Sequence, residues 1–373
     1  MAYSSIVKPS DHFNTVLYTG NTTDDRTISG VGFQPDWNWT KNRSATQHHW
    51  VADAVRGSSK MLRPDATNDE VNAPSQGSIA SFNADGYVLQ AGTSGDENYN
   101  YENNNYVSWN WKANGSDSSN TDGSISSTVS ANTTAGFSIV KYTSGQGSNF
   151  SIGHGLGVAP KVIIAKSRNA TYGWGFYYTI SGTNTNYLSL NTTGSVGNNT
   201  ADPDANGTAS GGGGYTGAFV ISDSSTIKIA QAAFANEGTQ AIAYCFAEKK
   251  GYSKFGSYIG NGNANGPFVY TGFKPAWVMR KYATGGSASG EGWEMLDSAR
   301  SPFNVADERL KADSNGAEST GSNYYVDFLS NGFKCRTADN ATNNSGATYI
   351  YMAFAENPLV ANVGQNGTPA TAR

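Results

Sequence analysis

Charge is scarce in this chain. Asp, Glu, Lys and Arg make up 14% of it, against about 25% in an ordinary soluble domain. A formal net charge of −4 leaves no basic field to draw nucleic acid or an acidic membrane surface, so neither is an expected partner. Cysteine is scarcer still: Cys245 and Cys335 stand alone, far apart and each within an apparent strand. Two buried free thiols are expected rather than a disulfide, a cysteine metal site is excluded, and stability has to come from packing. Long apolar runs are missing as well. None approaches the roughly 20 residues of a membrane helix, and Met1 to Pro9 lacks the apolar stretch of a secretory signal, so a soluble protein that is not Sec-exported is expected.

What the chain has in quantity is glycine, with 44 residues, together with Asn, Ser and Thr. Small polar residues fill turns, and apolar/polar alternation between such turns is the mark of antiparallel strands. Turn pairs such as Asp85-Gly86 and Asn331-Gly332 recur, while helical periods are confined to short pieces near residues 304–311. The fold class read from this is all-β, built of antiparallel β-sandwiches.

One stretch organises the chain because it occurs three times. Gly32-Phe33-Gln34-Pro35-Asp36-Trp37-Asn38-Trp39-Thr40-Lys41 returns as Val158-Ala159-Pro160-Lys161-Val162-Ile163-Ile164-Ala165-Lys166 and as Gly272-Phe273-Lys274-Pro275-Ala276-Trp277-Val278-Met279-Arg280-Lys281. The copies lie roughly 120 residues apart, the length of a small domain. Proline suits the first residue of a strand, since it donates no hydrogen bond. Alternation then puts Trp37, Trp39 and Lys41 on one face, as it does Val162, Ile164 and Lys166, and Trp277, Met279 and Lys281. The expectation is a packed inner face with a snorkelling lysine at its rim.

Three tandem sandwiches follow. The first spans 1–112, a polar run at 113–131 reads as a flexible linker, the second spans 132–250 with a Gly/Asn-rich insertion at 191–215, the third spans 251–356, and 357–373 is a polar tail. The second and third should be fixed to each other by their short junction, the first free to swing. Most of the eight tryptophans are expected in the cores.

Candidate chemistry is thin. Asp53 with Arg56 and Asp297 with Arg300 resemble catalytic pairs, but a structural ion pair or turn cap is the expected role. Neither the paired acids of a sandwich glycosidase strand, nor a Gly-x-Ser-x-Gly elbow, nor a P-loop occurs. His48 and His49 are adjacent, so on a strand they point apart and make a poor metal pair, and His154 sits alone among glycines. Asp202, Asp204 and Asn206 match the start of a calcium loop, yet the glutamate expected six residues after Gly207 is replaced by Gly213, leaving a weak calcium candidate beside a plain acidic loop. The Tyr/Asn-rich segment carrying Tyr99, Tyr101, Asn103 and Asn104 is a candidate ligand or subunit contact, or an ordinary hairpin tip. No catalytic residue, cofactor or metal is expected.

Several strings together resemble tailed-phage virion structural proteins of the marine, cyanophage type: Phe13-Asn-Thr-Val-Leu-Tyr-Thr-Gly-Asn, Asp53-Ala-Val-Arg-Gly, Val107-Ser-Trp-Asn-Trp-Lys-Ala, Gly251-Tyr-Ser-Lys-Phe-Gly-Ser-Tyr and Tyr349-Ile-Tyr-Met-Ala-Phe-Ala-Glu-Asn-Pro. The resemblance implies jelly-roll, concanavalin- or lectin-like domains in a virion protein without enzymatic activity, assembled in the bacterial cytoplasm. A tail fibre or surface appendage contacting the host comes first, with a capsid decoration or head-fibre protein, or a glycan-binding or polysaccharide-degrading spike, as alternatives. Other virion proteins, a homo-oligomer such as a trimer, and host surface glycan are the partners it implies. The second copy departs from the pattern: it has Trp174-Gly-Phe-Tyr-Tyr where the others carry Asp-x-x-Arg.

Overall fold

The structure, a computed structural model, describes Ser4 and residues 6–94, 98–145, 150–179, 185–194, 219–221, 223–229, 234, 236–286 and 291–359. Its regular structure is nearly all strand. The first third holds β1 (Phe13–Thr19), β2 (Thr27–Ile28), β3 (Trp37–Asn42), β4 (Trp50–Asp53), β5 (Gly57–Leu62), β6 (Val71–Asn72), β7 (Ser78–Asn83), β8 (Gly86–Gln90) and β9 (Asn105–Trp111). The second holds β10 (Ser118–Asn120), β11 (Ser127–Asn132), β12 (Phe137–Thr143), β13 (Phe150–Gly153), β14 (Val162–Ser167), β15 (Gly175–Tyr178), β16 (Asn186–Ser189), β17 (Phe219–Ile221), β18 (Thr226–Ile229) and β19 (Gln240–Phe246). The last holds β20 (Ser253–Ile259), β21 (Phe268–Tyr270), β22 (Phe273–Thr284), β23 (Trp293–Asp297), β24 (Leu310–Lys311), β25 (Val326–Leu329), β26 (Gly332–Cys335) and β27 (Thr348–Pro358).

These strands form three large sheets, ordered β1-β9-β3-β4-β5-β6, β10-β11-β12-β19-β14-β15-β16 and β20-β27-β22-β23-β24. Each is backed by a three-stranded sheet: β2-β8-β7, β13-β18-β17 and β21-β26-β25, respectively. A large sheet with its small one is here termed a unit. The recurring stretch forms the same strand in each unit and pairs antiparallel with the unit's closing strand: Trp37 faces Trp111, Val162 faces Phe246 and Trp277 faces Phe354. Strands β3 and β14 begin two residues after Pro35 and Pro160. Pro275 instead lies within β22, where the register shifts on both sides of it, a bulge that accommodates a residue with no N–H to donate.

Alternation gives each large sheet two buried faces. One face packs on the small sheet: Trp50, Ala52 and Met61 meet Ile28, Ile79 and Tyr87 in unit 1, and Phe33 joins them. Ile163, Ala165 and Cys245 meet Phe150, Ile152 and Ile227 in unit 2, and Val278, Tyr349 and Tyr351 meet Val269, Phe328 and Phe333, together with Phe273, in unit 3. Val158, the second copy's counterpart of Phe33, is exposed instead.

The opposite faces meet one another. Trp37, Trp39, Trp109 and Trp111 of unit 1, Ile164, Trp174, Tyr244 and Phe246 of unit 2, and Trp277, Met279, Trp293 and Phe354 of unit 3 belong to a single apolar cluster. Within it Trp37 lies 4.5 Å from Tyr244, Trp111 5.7 Å from Trp277 and Phe246 5.9 Å from Phe354, ring to ring. All eight tryptophans are about fully buried. Each unit thus keeps a core of its own and shares a further one with the other two, so the expectation of a first unit free to swing is corrected. The stretch 113–131, read as a flexible linker, contains β10 and the start of β11, both hydrogen-bonded into the second large sheet. Nor are residues 304–311 helical, since Leu310–Lys311 pairs as β24 with β23. The one helix of four described residues, Asn340–Asn343, is capped by the Asp339 side chain.

A shared centre changes how the chain should unfold. Separating one unit would expose its tryptophan-bearing face, so calorimetry is expected to show one cooperative transition rather than staggered ones. Well-separated transitions, or a soluble and folded fragment 132–250, would contradict a common core.

Candidate functional site

The chemically notable residues lie where the units meet, and the meeting is cyclic. Positions opposite one another in the sheets identify equivalents: Asp53, Tyr178 and Asp297 face Trp37, Val162 and Trp277, while Trp109, Tyr244 and Met352 face Trp39, Ile164 and Met279. At the seam from unit 1 to unit 2, Tyr244 Oη donates to Asp53 Oδ2 at 2.7 Å. From unit 3 to unit 1, Trp109 Nε1 donates to Asp297 Oδ2 at 3.0 Å. In both places the aspartate also caps its own turn, accepting from the amide of Arg56 or Arg300, and pairs with that residue's guanidinium. From unit 2 to unit 3 the equivalents are Tyr178 and Met352, where the carboxylate and the donor have been lost together.

A second layer repeats the same logic. Arg168 of unit 2 grips Glu70 of unit 1 through two hydrogen bonds of 2.9 and 2.7 Å, and Glu70 also takes Arg56 at 3.1 Å. Arg43 of unit 1 grips Glu318 of unit 3 at 2.9 and 2.7 Å, and Glu318 also takes Arg300 at 2.9 Å. Backbone bonds accompany both, from the Glu70 amide to Arg168 O and from the Glu318 amide to Arg43 O. Burial opposes the charge on both glutamates, but the flanking arginines outweigh it and hold each carboxyl below its ordinary range. Burial would likewise strip the Arg56 proton, yet Asp53, Tyr244 and Glu70 hold it above the usual arginine range. Removing one member of such a group leaves an uncompensated buried charge.

The third layer is indole. Trp174 Nε1 of unit 2 donates to Arg63 O of unit 1 at 2.7 Å, and Trp293 Nε1 of unit 3 donates to Ser189 O of unit 2 at 2.9 Å. Unit 1 carries His49 at this position, beside the backbone of Lys311 and Ser314 of unit 3. Its Nδ1 accepts from Trp39 Nε1 at 2.9 Å, and burial pushes its pKa down to about 3. The ring is neutral at any ordinary pH and serves as a hydrogen-bonding spacer.

Lys41, Lys166 and Lys281 correct a sequence expectation. They do not snorkel: each is 0% exposed. Lys166 Nζ donates to Ser167 O and Ala170 O at 2.6 and 3.0 Å. Lys41 Nζ reaches Asn42 O and Ala45 O, and Lys281 Nζ reaches Glu291 O in its own unit and Thr193 O in unit 2. Burial pushes all three amines down to about 8, against the pull of Asp65 and Glu318 on Lys41, Asp69 on Lys166, and Asp313 and Glu291 on Lys281.

The other sequence candidates fall apart spatially. His48 Nδ1 lies 2.7 Å from Asp65 while His49 faces the centre. His154 is buried, with its Nδ1 accepting from the Leu156 amide. Tyr99 is a core residue, its carbonyl accepting from Tyr18 Oη at 2.8 Å. Tyr101 is 46% exposed, and its amide donates to Tyr106 Oη. Asn103 adopts a left-handed turn conformation (φ 61°), and the Asn104 amide closes that turn on Tyr101 O. Asp202, Asp204 and Asn206 lie outside the described residues, as do most of the insertion and of the tail. Among the described residues no His, Cys, Asp and Glu side chains gather in a group able to hold a metal. Both cysteines are buried and unpaired.

An open groove of about 490 Å³ lies over the seam between units 1 and 2, lined by Arg56 and Lys60 of unit 1 and by Ser126, Thr128, Lys141, Tyr142, Thr143, Arg168 and Gln240 of unit 2. Sequence reasoning missed Glu70, Glu318, Arg43 and Arg168. The available signal was the arginine two residues beyond Lys41 and again beyond Lys166, a position that unit 3 fills with Ala283.

No curated protein and no solved structure matches this chain. A family match runs from residue 8, ahead of β1, to residue 358 at the end of β27, and so takes in all three units. The chain belongs to the family described as Domain of unknown function (DUF7483).

Proposed function

We propose that this chain is a non-enzymatic virion component, three jelly-roll, concanavalin-like domains closed into a rigid ring, placed in a tail fibre or surface appendage that contacts the host envelope. The observation that carries this reading is the use made of buried charge. Enzymes gather perturbed ionisable groups at a cleft open to substrate. Here Arg56, Arg300, Glu70, Glu318 and the three lysines are turned inward and taken up by contacts within and between units. Such an investment suits a part that must keep its shape under load. The resemblance of several strings to those of tailed-phage virion structural proteins supplies the setting, and other virion proteins are the partners.

Fibres commonly reach threefold symmetry by trimerising, and this chain carries a threefold arrangement within itself. The homo-oligomer expected of a fibre would sediment at a multiple of 39.4 kDa, and a monomer would mean that the internal repeat takes its place. Cryo-electron microscopy of the intact particle tests the placement: density for the ring on the tail is expected, and density on the capsid shell would make it a decoration protein instead. Shortening of host surface glycan by the purified chain would defeat the non-enzymatic reading.

A further inference from the structure

The ring contains its own control experiment. Two seams share one scaffold of an Asp-x-x-Arg turn, a bridging glutamate and an arginine from the neighbouring unit, so any further charge at one of them is not demanded by that scaffold. Lys60 stands two residues before Leu62, which faces Val51, and Glu308 stands two before Leu310, which faces Met295. Lys60 and Glu308 are thus equivalent. Lys141 faces Ile242 and Leu17 faces Val107, which makes those two equivalent as well.

At the seam between units 3 and 1, Glu308 lies 3.5 Å from Arg43 and Leu17 brings no charge, so this seam carries one surplus negative charge. At the seam between units 1 and 2 both positions are lysine. The ion pairs there join Arg56 to Asp53 and Glu70, and Arg168 to Glu70. Among the described residues none of them takes Lys60 or Lys141, and Lys141 Nζ donates to the carbonyl of Val55 at 2.7 Å. Two surplus positive charges are left, in a chain whose net charge is −4, at the mouth of a groove of about 490 Å³. That volume suits a small ligand rather than a lone ion. Ser126, Thr128, Thr143 and Gln240 line it with hydroxyl and amide groups, which meet sugar hydroxyls and offer little to an apolar ligand.

We propose that this groove binds an acidic saccharide segment, its carboxylate or sulfate held between Lys60 and Lys141 and its hydroxyls by the surrounding Ser, Thr and Gln side chains. The site does not depend on where in a particle the chain sits. Calorimetric titration of the full chain with trigalacturonate (carboxylate), a heparin tetrasaccharide (sulfate), maltotetraose (neutral) and hexathymidylate (phosphodiester) tests it. One or both acidic saccharides are expected to bind, more weakly as salt rises, and maltotetraose and hexathymidylate to bind at least about tenfold less.

The decisive variant gives the groove the residues of its sister seam, Lys60→Glu with Lys141→Leu, and is expected to lower affinity by at least about tenfold. The melting temperature should hold, because the equivalent positions already carry these side chains. If it falls, Lys60→Ala with Lys141→Ala is read in its place and the same loss is expected. Silence from both acidic saccharides, unchanged affinity in the folded variant, or preference for hexathymidylate or maltotetraose would each overturn the assignment.

Discussion

Replacing Asp297 by alanine is expected to cost about 3–5 kcal/mol of stability, the range found when a buried ion pair loses one partner. Three groups depend on this carboxylate. Its Oδ2 receives the Arg300 guanidinium at 2.6 Å and the Trp109 indole at 3.0 Å, and its Oδ1 receives the Arg300 amide at 2.8 Å. Arg300 and Asp297 side chains are both 0% exposed, so water cannot take over. Glu318 would remain on Arg300, which keeps the loss from being larger. Trp109→Phe removes only the indole bond and should cost about 1 kcal/mol beyond the packing change. Urea unfolding of the two variants measures the contrast; a loss under about 1 kcal/mol for Asp297→Ala would mean that the seam relaxes without its carboxylate.

Glu70 and Glu318 extend the argument, because each bridges two arginines across a seam. The third seam shows what the chain does without such a group. Tyr178 stands for the aspartate, Met352 for its donor and Ala283 for the reaching arginine, and all three lie in the common apolar cluster; what crosses this seam instead are Trp293 and Lys281, each donating to a backbone carbonyl. A half-kept set would leave a buried polar group unmatched, which costs more than an apolar replacement of the whole.

That pattern explains what the sequence could and could not disclose. Proline followed by alternating apolar residues was enough to place β3, β14 and β22 and to put Trp37 with Trp39, Val162 with Ile164 and Trp277 with Met279 on common faces. What those faces pack against was not legible, since the partners of Trp37 include Tyr244, over 200 positions away. The lysines were misread for the same reason: an amine ending an apolar face looks like a rim, and only the adjoining unit covers it. The missing Asp-x-x-Arg of the second copy and the Ala283 of the third were both visible as isolated departures. That they bear on one seam shows only when ring closure brings them together.

The three buried lysines should make the protein more stable as the solution becomes alkaline, against the usual decline. In the unfolded chain their amines keep the proton until about pH 10.5, whereas in the fold burial brings each pKa to about 8. Between these values the unfolded state binds more protons than the native one, so stability climbs with pH, and the gain is lost as pH falls through 8. One pKa unit corresponds to about 1.4 kcal/mol, which gives about 2 kcal/mol per amine between pH 7.5 and 9.5. Above about pH 10 the buried tyrosines act the other way. Burial holds the pKa of Tyr244 and Tyr142 well above 10, so the unfolded chain releases those protons first and stability falls. His49 titrates far below this window, but burial raises the thiols of Cys245 and Cys335, so the unfolded chain gives up those protons first and part of the lysine gain is offset. Urea midpoints at pH 7.5, 8.5 and 9.5 should rise in the native protein, rise by clearly less in Lys166→Met, and fall when Lys41, Lys166 and Lys281 are all methionine, because only the buried thiols and tyrosines then respond. A flat or falling series in the native protein would mean that the backbone carbonyls and nearby carboxylates keep the amines charged despite their burial, making the three lysines permanent internal cations.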